Sequence, residues 1–255
     1  MYSVRLLIEC GNSSIKLALN NKLNIGVIYD IDCRDNKKIK TNIYKSINKL
    51  IKNKNIEGIY IAYVNKQIKN IIIKIIKKEF YSIKVKILNK RKFKNFKLKY
   101  DKPSTFGMDR FLNCIGTQSV STKSSFIVID IGTATTIDVV DSNLSFMGGV
   151  ILPGPLTSYQ SLLFSTSMIG NHEISVSKKL LGNTTKECLN SGFTNGQFLM
   201  IQSFVSSIKK KYKRPFKIII TGGLSGIFQR FFPKSYIVDH KLTFKGMLNL
   251  IESMK

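Results

Sequence analysis

The chain has 255 residues, 43% of them hydrophobic, a mean hydropathy of −0.01 and a formal charge of +26. That length suits one large domain or two of roughly 120 residues, and no apolar run approaches the ~18 residues of a membrane span. The opening MYSVRLLIECG has one basic residue and then three apolar ones before Glu9, too short for the core of an export signal, so the expectation is a cytoplasmic protein with no membrane partner.

Four cysteines, Cys10, Cys33, Cys114 and Cys188, form no Cys-x-x-Cys pair and read as reduced thiols. His172 and His240 are the sole histidines and stand far apart in the chain, which argues against a zinc site and a histidine-based triad. An enzyme of this composition does its proton chemistry with carboxylates. Of 41 basic residues, six are arginine and 41 − 6 = 35 are lysine. Base readout and bidentate phosphate clamping favour arginine, so the surplus reads as lysine filling solvated faces rather than a specific nucleic-acid surface.

In chain order, residues 4–33 predict a β-hairpin and a further strand. Ile43, Ile47, Leu50 and Ile51 predict a helix over 42–55. GIYIAYV (58–64) is a strand, and 65–80 an amphipathic helix with Ile68, Ile71, Ile72, Ile75 and Ile76 on one face. Such a helix can lie on a membrane; packing on its own sheet is the commoner fate. IKVKIL (83–88) alternates as a strand, and a basic irregular stretch then ends in the Pro-Ser-Thr-Phe-Gly loop. A helix from Phe111 to about Val120 leads to a linker at 121–125. FIVIDIGTATTIDVVD (126–141) is a second strand-turn-strand, and FMGGVILPGPL predicts a constrained turn at Gly148, Gly149, Pro153, Gly154 and Pro155. CLNSGFTNGQFLMIQSFVSSIKKKY is helical, KIIITGGLSGIFQRFF is strand, Gly-Gly turn and helix, and FKGMLNLIESMK a terminal helix. The two halves, 1–120 and 121–255, each begin with a strand, an acid-x-Gly turn and a returning strand, then alternate helix and strand. The expected fold is α/β: two similar domains facing one another across a central cleft.

A glycine in a tight turn lets backbone N–H groups approach an anion, and short polar side chains add donors. ECGNSSIK offers Gly11, Asn12, Ser13 and Ser14 with Lys16 as a point charge, and DIGTATTID offers Gly132, Thr133, Thr135 and Thr136. Glu9 and Asp130, at the strand ends, are placed to hold a phosphate-bound cation directly or through water. The alternative is that each glycine permits a hairpin and each acid caps it; the duplication favours phosphate. Neither common nucleotide motif, the G-x-x-x-x-G-K-[ST] loop nor G-x-G-x-x-G, occurs. In YDKPSTFGMDR, Pro103 and Gly107 shape a loop delivering Asp109 and Arg110. A positioned aspartate can take the proton of an attacking hydroxyl and an arginine can grip a carboxylate; equally, an aspartate at a helix start simply suits the dipole.

Together these stretches resemble the type III pantothenate kinase family, within the acetate-kinase, sugar-kinase, Hsp70 and actin superfamily of duplicated ribonuclease-H-like domains. ECGNSSIK is similar to its first phosphate loop, DKPSTFGMDR preceded by Tyr100 to its substrate segment, and DIGTATTID to its second phosphate motif. GGVILPG, LGNTTKECLNSGFTNG, TGGLSG and KLTFKGM are similar to its remaining motifs, in order from about residue 4 to 250. The resemblance implies an actin-like ATPase fold and ATP-dependent phosphorylation of pantothenate, towards coenzyme A. It implies Asp109 as general base, with Tyr100, Gly107, Met108, Arg110 and Thr185 binding pantothenate. Glu9, Cys10, Gly11, Asn12, Ser13, Ser14, Ile15, Lys16, Gly132 and Thr133 would contact ATP. Asp130 would hold a monovalent cation, potassium or ammonium, beside magnesium, and the protein would be a homodimer in which Thr185 acts across the interface. Glu9 replaces the family's aspartate and Lys102 its asparagine; the added methylene of Glu9 carries the carboxylate outward. Rival readings are a kinase of the same fold acting on another acceptor, such as a sugar, and a non-catalytic DNA-binding regulator using the basic surface.

Overall fold

A computed structural model of the chain describes residues 4–21, 24–33, 38–166 and 172–254. Residues 22–23 of the 4–33 reading lie outside them. The chain forms two compact units, Met1–Ser121 with Lys241–Lys255, and Thr122–His240.

In the first unit, β1 (Val4–Cys10) is buried along most of its length, as the near-continuous apolar run of a central strand requires. It pairs antiparallel with β2 (Ser14–Asn21), placing Glu9 directly opposite Lys16. The short β3 (Asn24–Ile25) and β4 (Tyr29–Asp32) both pair with β2. Helix α1 (Ile39–Ile51) precedes β5 (Ile56–Tyr63), which runs parallel to β1. Helix α2 (Lys66–Glu79) precedes β6 (Val85–Ile87), parallel to β5. The resulting order is β3-β2-β1-β5-β6. Ile39, Ile43, Ile47 and Leu50 of α1 and Ile68, Ile72 and Ile76 of α2 are buried in its core, each contributing ~1.5–3 kcal/mol of apolar transfer.

Helix α1 starts and stops earlier than the predicted 42–55, because Lys52 is extended and Asn53 takes a left-handed φ of 59°, a conformation asparagine tolerates. Helix α2 matches its prediction: the Asn65 side chain accepts from the Gln67 and Ile68 amides at 2.9 and 3.1 Å, capping the start. After the two-residue β7 (Lys97–Leu98), helix α3 (Met108–Gly116) begins three residues before the predicted Phe111, with Gly107 at its N-cap, and ends in a 3₁₀ turn at Thr117–Ser119.

The second unit repeats this plan. Strand β8 (Phe126–Ile131) pairs antiparallel with β9 (Ala134–Val140), which pairs with β10 (Ser145–Pro153). On the other side of β8, β11 (Lys217–Thr221) and β12 (Ile237–Val238) run parallel. Both units therefore place a hairpin first and add parallel strands beside its first strand. The segment predicted as a constrained turn is mostly strand β10; its glycines make a bulge instead, with a register shift between Phe146 and Gly148 and a φ of 128° at Gly148. The turn itself comes at Gly154. Helix α4 (Pro155–Ser165) follows, then α5 (Thr185–Ser191), a π-helical turn at Gly192–Gly196 and α6 (Gln197–Tyr212). Helix α7 (Ser225–Phe228) is a single turn extended by 3₁₀ residues. Ile201 and Val205 of α6 pack on Ile127, Ile129 and Ile137 of the sheet.

The terminal helix α8 (Leu242–Glu252) packs in the first unit, whereas chain order assigned it to the second half. Thr243 Oγ1 donates to Asn113 Oδ1 at 2.8 Å, Asn249 Nδ2 to the Ile115 carbonyl at 2.9 Å, and Arg5 links Glu57 to Glu252 at 3.0 and 2.8 Å. Among the described residues no helix is long and apolar enough to cross a membrane.

Helices α3 and α8 touch through glycine: a Cβ on Gly246 would collide with the Leu112 carbonyl, and one on Gly116 with that of Leu242. Backbone cannot yield as a side chain end does, so Gly246→Ala lowers stability by about 1–3 kcal/mol. Gly196→Ala, which meets nothing within 4 Å, leaves stability within about 1 kcal/mol or raises it. Urea unfolding of both variants measures the contrast.

Candidate active site

Glu9 and Asp130 occupy equivalent places, the next-to-last residues of β1 and β8. Each strand leaves its acid through a glycine whose amide folds back into the hairpin: Gly11 N–H donates to the Ser14 carbonyl and Gly132 N–H to that of Ala134, both at 3.0 Å. Asn12 is exposed, Ser13, Ser14 and Lys16 are half-buried, and Ile15 is buried as a core residue facing away from the turn.

The second turn is the more tightly built. The Thr133 carbonyl accepts from Gly154 N–H at 2.9 Å and Thr157 Oγ1 at 2.7 Å, pinning the start of α4 against it. A Cβ on Gly154 would overlap the Gly132 and Thr133 carbonyls, and one on Gly222 would overlap the Asp130 carboxylate and Ile131 backbone. Gly222 also has a φ of 98°, where side chains are strained. Asp130, Gly132 and Thr133 thus sit in a narrow cradle bounded by Gly154 and Gly222. In the sequence, Gly154 falls in the predicted constrained turn and Gly222 in the TGGLSG turn; the signal for their closer role is a glycine next to a strand end.

In the first unit, Glu9, Cys10, Met108 and Asp109 line one crevice with Tyr63, Val64 and Leu112. The structure therefore brings Glu9 and Asp109, 100 residues apart in sequence, to the same narrow crevice. Asp109 sits in the first turn of α3, where Oδ1 accepts from Arg110 N–H at 2.8 Å. A Cβ on Gly107 would meet that same oxygen, so a side chain there would turn the Asp109 carboxylate aside. Arg110 is buried, with its guanidinium 4.8 Å from the Phe106 ring centroid, a cation–π distance. Tyr100 packs edge-on to Phe106 with centroids 5.4 Å apart, and Phe96 lies between Phe106 and Phe111 at 6.2 and 5.2 Å. This aromatic bed holds the segment that ends in Asp109.

Thr185, in the second unit, is the first residue of α5; the preceding Thr184 caps the helix, accepting from Glu187 N–H at 3.2 Å. It lines a cavity of about 390 Å³ with Tyr159, Leu162, Cys188 and Gln197, not the Asp130 cradle. The buried Gln197 Oε1 has no hydrogen-bond partner there.

Among the described residues no three His, Cys, Asp or Glu side chains cluster as a metal site. A single carboxylate at a tight turn instead suits a cation that brings its own ligands and keeps its waters. The thiols are not nucleophiles in waiting. Burial, and then the neighbouring Glu9 charge, push Cys10 up to about 12, and burial pushes Cys33 to about 11. At pH 8 about one in a thousand of these thiols or fewer is thiolate. Iodoacetamide therefore labels the exposed Cys188 in the native protein while Cys10, Cys33 and Cys114 react only after urea; peptide mass spectrometry reads the sites.

A sequence profile of the family described as type III pantothenate kinase matches residues 5–207. The type III pantothenate kinase of Pelagibacter ubique is 34% identical over 164 residues, covering 64% of each chain. That of Sulfurihydrogenibium sp. is 32% identical over 151 residues, covering 59% of this chain and 60% of the relative. The matched regions thus span just under two thirds of those relatives. Among solved structures, a Campylobacter jejuni protein described as a Baf-family transcriptional activator superimposes with a TM-score of 0.62 at 24% identity, covering 97% of both chains. The ADPNP-bound activator of 2-hydroxyisocaproyl-CoA dehydratase from Clostridium difficile gives 0.52 at 13%, covering 99% of this chain and 96% of that one. At such identities the likeness speaks to the fold alone, which is that of the actin-like ATPases.

Proposed function

Because the chain belongs to the type III pantothenate kinase family, we propose that it transfers the γ-phosphoryl group of ATP to the primary hydroxyl of pantothenate, the opening step towards coenzyme A. The observation that carries the reading is the family match over residues 5–207, within which Asp109 stands on the first turn of α3 close to Glu9. In this reading the hydroxyl oxygen of pantothenate bonds to the γ-phosphorus as the bridging P–O bond to ADP breaks. Asp109 takes the hydroxyl proton, a contribution of ~10²–10⁴ in rate. Arg110, beside the Phe106 ring, holds the pantothenate carboxylate, Tyr100, Gly107 and Met108 contribute to the acceptor site, and Thr185 acts on it across the dimer interface. Glu9 to Lys16, with Gly132 and Thr133, hold ATP. Magnesium, bound through phosphate oxygens near Glu9, would neutralise developing charge; Asp130 would hold potassium or ammonium in the same role.

The reading includes a cytoplasmic homodimer and no specific nucleic-acid partner. Exposed apolar side chains of the second unit support the dimer: Phe164, Leu180 and Leu181 are 94, 64 and 82% exposed, and Leu162 and Leu199 are exposed on α4 and α6. Patches of this kind mark association surfaces. Sedimentation at micromolar protein is expected to give twice the 28.9 kDa chain mass, and replacing Leu181 and Phe164 with serine is expected to give monomer.

The direct test is mass spectrometry of pantothenate incubated with protein, ATP, magnesium and potassium. A phosphate adduct is expected, and at least about a hundredfold slower formation with Asp109→Asn, which keeps a short polar residue in the helix's first turn. ADP release with a sugar panel but not with pantothenate would replace this reading with a kinase for another acceptor.

A further inference from the structure

Lys90 opens a 3₁₀ turn, Lys90–Lys92, anchored by the Asn89 side chain, which accepts from Arg91 N–H at 3.0 Å. From there its ammonium reaches a loop 14–16 residues further on: it donates to the Phe106 carbonyl and stands 3.5 Å from that of Ser104. It also lies 5.8 Å from the centroid of the Phe106 ring, which Arg110 stacks on. The Pro103–Thr105 turn supplies only part of its own hydrogen bonding. Thr105 N–H and Oγ1 use the Lys102 carbonyl and Phe106 N–H uses that of Pro103, and no side chain caps the turn. The carbonyl of the buried Phe106 needs a donor, and a flexible stem ending in three N–H groups can serve it and the exposed Ser104 carbonyl at once.

We propose that Lys90 is a positioning residue of the acceptor site, tying the Ser104 and Phe106 carbonyls so that the Gly107–Arg110 turn holds Asp109 and Arg110 in fixed orientation. The inference rests on the kinase reading above. The electrostatics agree: burial and then the Arg91 charge push the Lys90 ammonium below its ordinary pKa, while the Asp109 charge pushes it up, so the two groups feel one another. The sequence offered no signal for this, since Lys90 is one lysine in a run of them.

The test compares Lys90→Met and Lys90→Arg with Lys92→Met, an exposed neighbour, in the full chain. Amide hydrogen exchange over residues 104–110 is expected to speed up about tenfold or more in Lys90→Met and to stay unchanged in Lys92→Met. In the pantothenate assay, Lys90→Met is expected to lose about 10–100-fold in kcat with KM for ATP unchanged, the scale of a slightly misplaced reacting group. Lys90→Arg is expected to restore both, which a general loss of folded protein would not allow. Unchanged exchange overturns the tether, and faster exchange with unaltered kcat overturns its role in the reaction. If the parent protein does not phosphorylate pantothenate, the kinase reading fails and exchange alone decides the tether. Should Lys90→Met not fold, Lys90→Gln, which keeps a neutral donor, replaces it in both arms.

Discussion

Three pieces of backbone meet around Asp130 at separations that only glycine permits. The Gly132–Thr133 turn lies against Gly154, and Gly222 lies against the Asp130 carboxylate. From that contact follow the end of β8, the start of α4 and the exit from β11, where Leu224 N–H donates to the Ile131 carbonyl at 2.9 Å. The Thr133 carbonyl, which would repel an anion, is occupied by Gly154 and Thr157. A turn that receives an anion needs its negative dipole ends engaged elsewhere, and the glycine contacts at Gly154 and Gly222 let the backbone come close enough for that.

The first unit reaches an equivalent place by other means. Its turn closes with a single amide bond, Gly11 to Ser14, and the acid faces Lys16 across the hairpin, an opposite-charge pair of the kind that steadies neighbouring strands. What approaches Glu9 is a helix start, and that helix start rests on side chains: Phe106 beneath Arg110, Phe96 and Phe111 beneath Phe106, and Lys90 on the loop carbonyls. Backbone contacts through glycine are rigid because nothing can rotate; side-chain supports can rearrange. The segment ending in Asp109 therefore rests on supports that can rearrange, unlike the glycine-bound turn around Asp130.

The hairpins and the two amphipathic helices were legible in the sequence because each depends on a local period: alternation in β2, and isoleucines every three or four residues in α2. The positions of Glu9, Asp130 and Asp109 were legible for the same reason, each lying next to a glycine that ends or begins an element. Where the reading departed from the fold, the deciding contact was distant. The glycine pair in FMGGVILPG reads locally as a turn, yet pairing with β9 keeps it extended as a bulge. Helix α3 starts early because Gly107 leaves room for the Asp109 carboxylate to fold back on the helix start, which no hydrophobic period reveals. The terminal helix joins the first unit through Gly116 and Gly246, 130 residues apart in sequence. No window of adjacent residues contains that information.

The basic surplus also sorts by chemistry once partners are known. Arg5 bridges two carboxylates, Arg110 stacks on Phe106, Arg214 lies over Tyr212 and Phe216, and Arg230 over Phe231. Arginine stands where a planar, permanently charged group meets a fork of oxygens or a ring. Lysines are numerous along α1 and α2, a few of them set against a neighbouring ring, as Lys49 is 5.5 Å from that of Tyr29 and Lys69 4.8 Å from that of Tyr63. A lysine that leaves this pattern carries information. Lys241 does so by donating to the Ile25 carbonyl at 2.6 Å, fixing the start of α8 on the first sheet's edge, and Lys90 by holding the acceptor loop. Both set a charged donor against backbone carbonyls. Net charge is thus a poor guide to function here, and the exceptions to its distribution a better one.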